Sequence, residues 1–396
     1  MHPVLSIGLY LLMQVVILVL AYLCLRHDKN SRSSGKAVRW YPAAAVIYLL
    51  LSLMPVGGAV LPDSGFKFTL QRFGNVWLGF MVYFGGILLV LYILAGLLRL
   101  FAGHLPRKVR AGVLLVSFLA GLGLLGYGTW HAQRTIVTEY DVTIKKEAED
   151  LEEMKVVLLA DLHLSVNSHL PTIRRMVEMV NKEQPDVIVI AGDIFTSSYA
   201  GLRDPGNYAQ VLCGLEARDG VYAVYGNHDV EETLFGGFPI SPISQAFRTR
   251  EMEQFFADCG FTVLYDETVS IGGGAVQLTG RVDGEKAGDG TADRKSPSEV
   301  LKDVDKEKPV LVLQHEPVEF AGLKENGADL ALCGHTHAGQ IFPGNLIVPF
   351  FNENAYGYKN AGGLDTIVTS GIGYYGPPMR VGTNSEITVV HIRFGK

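Results

Sequence analysis

The sequence predicts a helical membrane region, residues 1–134, joined to an α/β layered domain, residues 135–396. Three observations predict it. Four long apolar runs follow one another near the N-terminus, the charge balance reverses after them, and beyond Gln133 short β-branched runs alternate with helix-like segments.

A helix needs roughly 20 apolar residues to cross a bilayer. Pro3–Leu25, Tyr41–Leu61, Phe73–Leu98 and Ala111–Trp130 reach that length without a charged side chain. Tyr22, Trp40, Tyr41, Trp77, Tyr127 and Trp130 lie near the ends of these runs, where amphipathic rings favour the interface. Pro55, Gly57 and Gly58 make the second run the least regular. No ionisable residue stands at mid-membrane depth, which argues against a transporter. The first run has no basic leader and no small-residue cleavage site, so it reads as a retained helix.

Loop charges suggest an orientation. Arg26, Lys29, Arg32, Lys36 and Arg39 fill the first loop and Arg99, Arg107, Lys108 and Arg110 the third, while the second has only Lys67 and Arg72. The first and third loops are therefore expected in the cytoplasm and the C-terminal domain on the extracytoplasmic face. Residues 1–134 carry 12 Lys/Arg against Asp28 and Asp63, a net +10; the remaining 22 Lys/Arg and 38 Asp/Glu give −16. An acidic second half disfavours non-specific binding to nucleic acid. The four cysteines, Cys24, Cys213, Cys259 and Cys333, show neither metal-type spacing nor a disulfide framework.

In the second half Ile136–Ile144 alternates as a strand, and a charged turn, Lys145–Glu153, follows. Val156–Ala160, Val187–Ala191 and Val221–Tyr225 read as strands, with a helix at Leu170–Glu183. Glu251–Cys259 reads as a helix, Phe261–Val269 and Ala275–Gly280 as strands, and Gly284–Pro297 as a polar, mobile surface loop. Strand, helix, strand recurs at Val310–Gln314, Val318–Glu325 and Leu330–Cys333, and Thr366–Thr369 and Glu386–Arg393 close the domain.

Polar residues of few types stand just past these strands. Asp161 and His163, Asp193, Asn227 with His228 and Asp229, His315, and His335 with His337 each follow an apolar run. The C-terminal ends of such strands form one rim, where ligand sites gather. Of the seven histidines in the domain, five are at these positions. A strand-end Asp taken singly is usually a cap or turn former, and a lone His a core residue; five such clusters in order are a site. Mixed carboxylate and imidazole donors suit divalent Mn, Fe or Zn, and a carboxylate bridging two cations at ~3.5–4 Å clamps the oxygens of a phosphoryl transfer. Residues spaced as Asp161 and His163 point the same way if the strand continues through them. Glycines before Asp193, Asn227 and His335 let backbone pass close.

These five motifs resemble those of the calcineurin-like metallophosphoesterase superfamily, and they span nearly all of 156–340. The resemblance implies two mixed β-sheets flanked by helices in a four-layer sandwich. It also implies that Asp161, His163 and His337 bind one divalent ion and Asn227, His315 and His335 the other, with Asp193 bridging. His228 would be the catalytic histidine that assists the leaving group, Asp229 its orienting partner, and a water held by the ions the nucleophile. Gly192-Asp193-Ile194-Phe195 lacks the second Asp and the Arg of phosphoprotein phosphatases. Thr369–Gly373, Pro377–Arg380 and Glu386-Ile387 are similar to the bacterial membrane-associated branch, some of whose members cleave lipid-precursor pyrophosphates. The expected substrate is thus a phosphate mono- or diester or pyrophosphate, plausibly on a phospholipid or lipid precursor, with membrane lipids as partners. The competing reading is a metal-binding sensor or assembly protein without catalysis. Arg380, Tyr374 and Tyr375 lie on a Gly/Pro-rich loop after a strand; Arg suits phosphate, but these three are set aside as site residues.

Overall fold

The structure, a computed structural model, describes residues 3–26 and 36–395. Lys29 and Arg32 of the first basic loop lie outside the described residues. The chain forms two compact units: 1–130 with Leu234–Ser241 and Gly376–Met379, and the remainder from His131.

Among the described residues the helical unit holds four stretches long and apolar enough to cross a membrane. Helix α1 covers Pro3–Leu25. The second stretch is α2, Lys36–Ser52, and α3, Met54–Val60, interrupted at Leu53 because Pro55 has no N–H to continue the ladder. Helix α4, Gly65–Ala102, starts eight residues before the expected Phe73. Ser64 Oγ accepts from the Lys67 amide at 3.2 Å, and the Lys67 ammonium reaches Asp63 at 2.6 Å, so the first turn is capped. At 1.5 Å per residue this helix is roughly 57 Å long, against ~30 Å for a hydrocarbon core. Helix α5 is Arg107–His131. Inside the unit Trp77, Phe80, Phe84 and Phe118 form an aromatic column with centroid spacings of 5.2 to 6.1 Å. Leu12, Val16, Leu115 and Leu119 face outward, as lipid contact requires.

In the second unit the strands are β1 (Thr135–Ile144), β2 (Glu153–Leu159), β3 (Val187–Ala191) and β4 (Val221–Val224). A two-strand ladder, β5 (Leu234–Phe235) and β6 (Phe238–Pro239), falls in the helical unit. Then come β7 (Thr262–Val263), β8 (Glu267–Ile271), β9 (Val276–Gly280), β10 (Val310–Leu313), β11 (Leu330–Cys333), β12 (Gly357–Ala361), β13 (Leu364–Val368) and β14 (Ser385–Phe394). They build two mixed six-stranded sheets, in the orders β1-β14-β2-β3-β4-β7 and β12-β13-β11-β10-β9-β8. Strands β2, β3 and β4 are mutually parallel, as are β9, β10, β11 and β13. Parallel strands covered on both faces read as continuous apolar runs, which is why Val187–Ala191 and Leu330–Cys333 are fully buried.

The alternation of side chains along each strand makes three layers of core. Val156, Leu158, Val187 and Val189 meet Leu278, Leu311, Leu313 and Leu332 between the sheets. On the outer face of the first sheet Val157, Leu159, Ile188 and Ile190 meet α6 (Leu170–Lys182), α7 (Pro205–Leu212) and α8 (Arg250–Asp258). On the outer face of the second, Val310, Val312 and Ala331 meet α9 (Pro297–Val300) and α10 (Phe320–Glu325). The result is the expected four-layer sandwich. Two local differences stand out. The expected strand Phe261–Val269 divides into β7 and β8, with Asp266 left-handed between them. The segment 284–297 is tied down: Glu285 accepts from Asn227, Lys286 meets Glu232, and Ser296 with Glu299 caps α9.

Candidate metal centre

Strands β2, β3, β4, β10 and β11 end together, and the turn after each delivers one to three of the nine residues singled out above. The turns bend sharply. Asp161, His163, Asp193, His335 and His337 all have φ between +47 and +74. Left-handed backbone at a non-glycine residue costs about 1–3 kcal/mol, and Asp and His are among those that tolerate it. The expected strand extension through Asp161 and His163 is therefore absent. The chain leaves the strand at Leu159, and two left-handed kinks aim the side chains together. The loops brace one another through Asp161 N–H to Gly192 O and His163 N–H to Asp193 O, both 3.0 Å. Gly226 is required beside them, since a Cβ there would lie 2.2 Å from Asp193 Oδ1.

Two buried groups result, each with donor atoms within 4.8 Å of one another: Asp161, His163 and His337, and Asp161, Asp193 and His315. Asp193 Oδ2 lies between them, 3.6 Å from His163 Nε2 and 3.1 Å from His315 Nε2. A third group of the same span, Glu285, Glu316 and His335, adjoins the second. Asn227 Oδ1 and His335 Nδ1 approach His315 Nε2 at 3.1 and 3.2 Å.

The donor chemistry fits a cation. His315 Nδ1–H donates to the Ala191 carbonyl at 2.7 Å, so neutral His315 presents a lone pair at Nε2. Asn227 turns its Nδ2–H to Glu285 at 2.7 Å, leaving Oδ1 on the same spot. Lone pairs of Asn227, Asp193 and His315 thus converge, and only a proton or a cation between them relieves the repulsion. Burial opposes a charge on His315, but adjacent Asp193 outweighs it and holds the imidazole pKa well above its ordinary value. Burial likewise opposes a charge on Asp193, yet His315 and His228 bring its pKa well below the usual carboxylate range. Burial pushes Asp161 up to about 7.

His228 sits beside this cluster, its ring stacked on Tyr375 with centroids 4.5 Å apart. Its Nδ1 is 2.9 Å from Ser197 Oγ, which donates to Glu232 Oε2 at 3.1 Å; Lys286 Nζ meets the same carboxylate oxygen at 2.6 Å. Because Ser197 spends its proton on Glu232, His228 carries its own at Nδ1 when neutral, with the lone pair at Nε2. Burial holds its pKa well below the ordinary histidine value.

One expectation needs correction. Asp229 makes no contact that orients His228: its carboxylate accepts from the backbone amides of Asp193, Phe195 and Gly226 at 2.8–2.9 Å. Three amides converging in the buried turn need one acceptor, and Ser197 holds the imidazole instead. Arg380 is fully buried and donates to the carbonyls of Ser370, Gly371, Gly373 and His337, so no guanidinium is left for an incoming phosphate. It braces the loop behind His337. Ser197, Thr196 (3.1 Å from His163 Nδ1), Glu232, Glu285 and Lys286 escape the sequence reading, because none follows a β-branched run or belongs to a motif. A left-handed position at Ser197 is visible only in the backbone.

Residues 154–339 match the family model for calcineurin-like phosphoesterases. An uncharacterised metallophosphoesterase of Helicobacter pylori is 33% identical over 295 residues, covering 72% of both chains. A "transmembrane protein with metallophosphoesterase domain" from Danio rerio is 29% identical over 72% of this chain and 63% of its own length. The Bos taurus protein of that name is 32% identical over 72% and 62%. The chain thus spans less than two thirds of these two relatives. Similarity of this extent, over the very turns that gather the Asp and His side chains, places the chain in the calcineurin-like metallophosphoesterase family.

Proposed function

We propose that the chain is a membrane-anchored phosphoesterase with two divalent ions, Mn, Fe or Zn, acting on a phosphate monoester, diester or pyrophosphate of a lipid or lipid precursor. The observation that carries this reading is the convergence of lone pairs around Asp193 Oδ2, with His228 beside it and outside the donor set. Asp161, His163 and His337 would hold one ion and Asn227, His315 and His335 the other, with Asp193 shared between them. When bound, such ions activate water near neutral pH and neutralise charge on the phosphoryl oxygens. Residues 1–134 are the anchor and 135–396 the catalytic domain, on the extracytoplasmic face.

The chain's own part is positioning and proton handling. His228 is neutral before substrate arrives, because burial disfavours its cation. An anionic ester nearby reverses that balance, so Nε2 takes up a proton and passes it to the leaving oxygen. Ser197 and Glu232 fix the ring and favour the charged form. Four apolar helices keep this chemistry near lipid headgroups, which supports a lipid-borne ester.

The test is turnover of a chromogenic phosphodiester and monoester by the full chain in mild detergent, with Mn²⁺ and with chelator. Metal-dependent turnover lost in Asn227→Ala and His228→Ala is the expected result. Bound metal without turnover of soluble or lipid esters would instead leave a metal-binding membrane protein without catalysis.

A further inference from the structure

From Ile341 to Asn352 no residue carries a charge, and the segment is built of Phe, Leu, Ile, Val and Pro, broken by Gly344-Asn345 and ending at Asn352. Its large side chains are not buried: Phe350 is 85% exposed and Phe351 81%, with Phe342, Leu346 and Ile347 about half exposed. A contiguous apolar surface of this kind marks an interaction site. The segment is also held in shape. A short helix, Gly344–Ile347, runs into a helical turn at Val348–Phe350, and Ile341 pairs with Val381 as Phe342 N–H donates to Val381 O at 2.8 Å. At the far end Asn354 is buried, and Thr336 Oγ1 donates to Ala355 O at 2.6 Å.

We propose that Phe342–Phe351 beds into the interfacial layer of the bilayer, as a membrane contact additional to the helices. Two observations select lipid over a protein partner. The first is position. His131, the last residue of α5, has Nε2 3.1 Å from both Thr383 O and Asn384 Oδ1, and Thr383 Oγ1 donates to Gln340 O at 2.9 Å. Gln340 directly precedes the segment, so its base is joined by hydrogen bonds to His131, the residue that follows the last apolar run in the sequence. The second is composition. The uncharged run is followed by half-exposed Tyr356 and Tyr358 and by Lys359, the amphipathic and basic types that favour the headgroup level. The segment starts from the turn that carries His337, and the Gln340 side chain bonds the Tyr375 backbone on both sides. An inserted segment therefore places the rim of the metal centre at the lipid surface.

The experiment uses the full chain in phosphatidylcholine nanodiscs, with a photoreactive phenylalanine analogue at Phe350, at Phe351, or at half-exposed Phe247 as control. Irradiation is expected to add the mass of one phospholipid at the first two positions and not at the third. An adduct with a second copy of the chain, equal lipid labelling at Phe247, or no lipid adduct would each overturn the proposal. The double variant Phe350→Ser, Phe351→Ser should keep turnover of a soluble ester within about twofold, as surface changes do, showing that the fold is intact. Lipid labelling is read without turnover, so its failure is distinct from failure of the catalytic reading.

Discussion

Replacing Ser197 by Ala isolates the proton-handling half of the site. The hydroxyl stands 2.9 Å from His228 Nδ1 and 3.1 Å from Glu232 Oε2. The backbone bonds of the same residue, Ser197 N–H to His228 O at 2.9 Å and Glu232 N–H to Ser197 O at 3.0 Å, survive the change, so the loop stays in place. What is lost is a hydrogen bond to an imidazole that must carry charge in the transition state, worth about 1.5–3 kcal/mol. At 1.36 kcal/mol per factor of ten, kcat should fall roughly 10- to 150-fold, with bound metal unchanged. The loss should grow with the basicity of the leaving group, because a nitrophenolate departs without a proton and an alkoxide does not. Ser197→Gly makes the same deletion at φ +46, where glycine is unstrained, so it should match the Ala variant in rate and exceed it in melting temperature. Steady-state kinetics on a nitrophenyl and an alkyl ester, with metal analysis, provide the assay. An Ala variant within about twofold of the parent on the alkyl ester would refute the Ser197–His228 argument.

Asp229→Asn should act on stability first: it sets an amide N–H or a weaker acceptor against three buried backbone donors, costing about 3 kcal/mol or more, read as a lower melting temperature with or without metal. Arg380→Met should strand the carbonyls behind His337 and weaken metal binding about 10- to 100-fold by titration calorimetry, and Arg380→Lys should rescue little, lacking the planar fork. Burial opposes a proton on His315 but Asp193 outweighs it, so a metal ion must displace that proton, and affinity should rise about tenfold per pH unit until the raised pKa is passed. The folding linkage runs the opposite way: the metal-free protein keeps this stabilisation below the ordinary histidine pKa and loses it as pH climbs through the raised value. Mn²⁺ binding that does not vary with pH would remove the proton from this account.

What was legible in the sequence follows from burial. Val187–Ala191 and Leu330–Cys333 appear as strands with matching ends, because a strand covered on both faces must be apolar throughout. Strand β12, Gly-Tyr-Lys-Asn-Ala, was not foreseen: it is an edge strand whose middle residues face solvent, so neither pattern nor hydropathy marks it. The Asp and His positions were legible because strand ends converge, and their chemistry points one way. Residues that act through others were not. Ser197 and Glu232 meet His228 only after the chain has folded back, and Asp229, read as a catalytic group, is consumed by buried backbone, as is Arg380.

The left-handed backbone at Asp161, His163, Asp193, His335 and His337 bears on how the centre can vary. A replacement at these positions must supply a donor atom and also accept an unfavourable turn. Asp, Asn, His and Gly accept it most readily, and β-branched residues least. A search for altered metal preference should therefore begin with exchanges inside that small alphabet, such as Asp193→Asn or His335→Asn. Glu in place of Asp161, conservative in charge, must instead fit one more methylene into a fully buried site and would displace the carboxylate from His163 and His337.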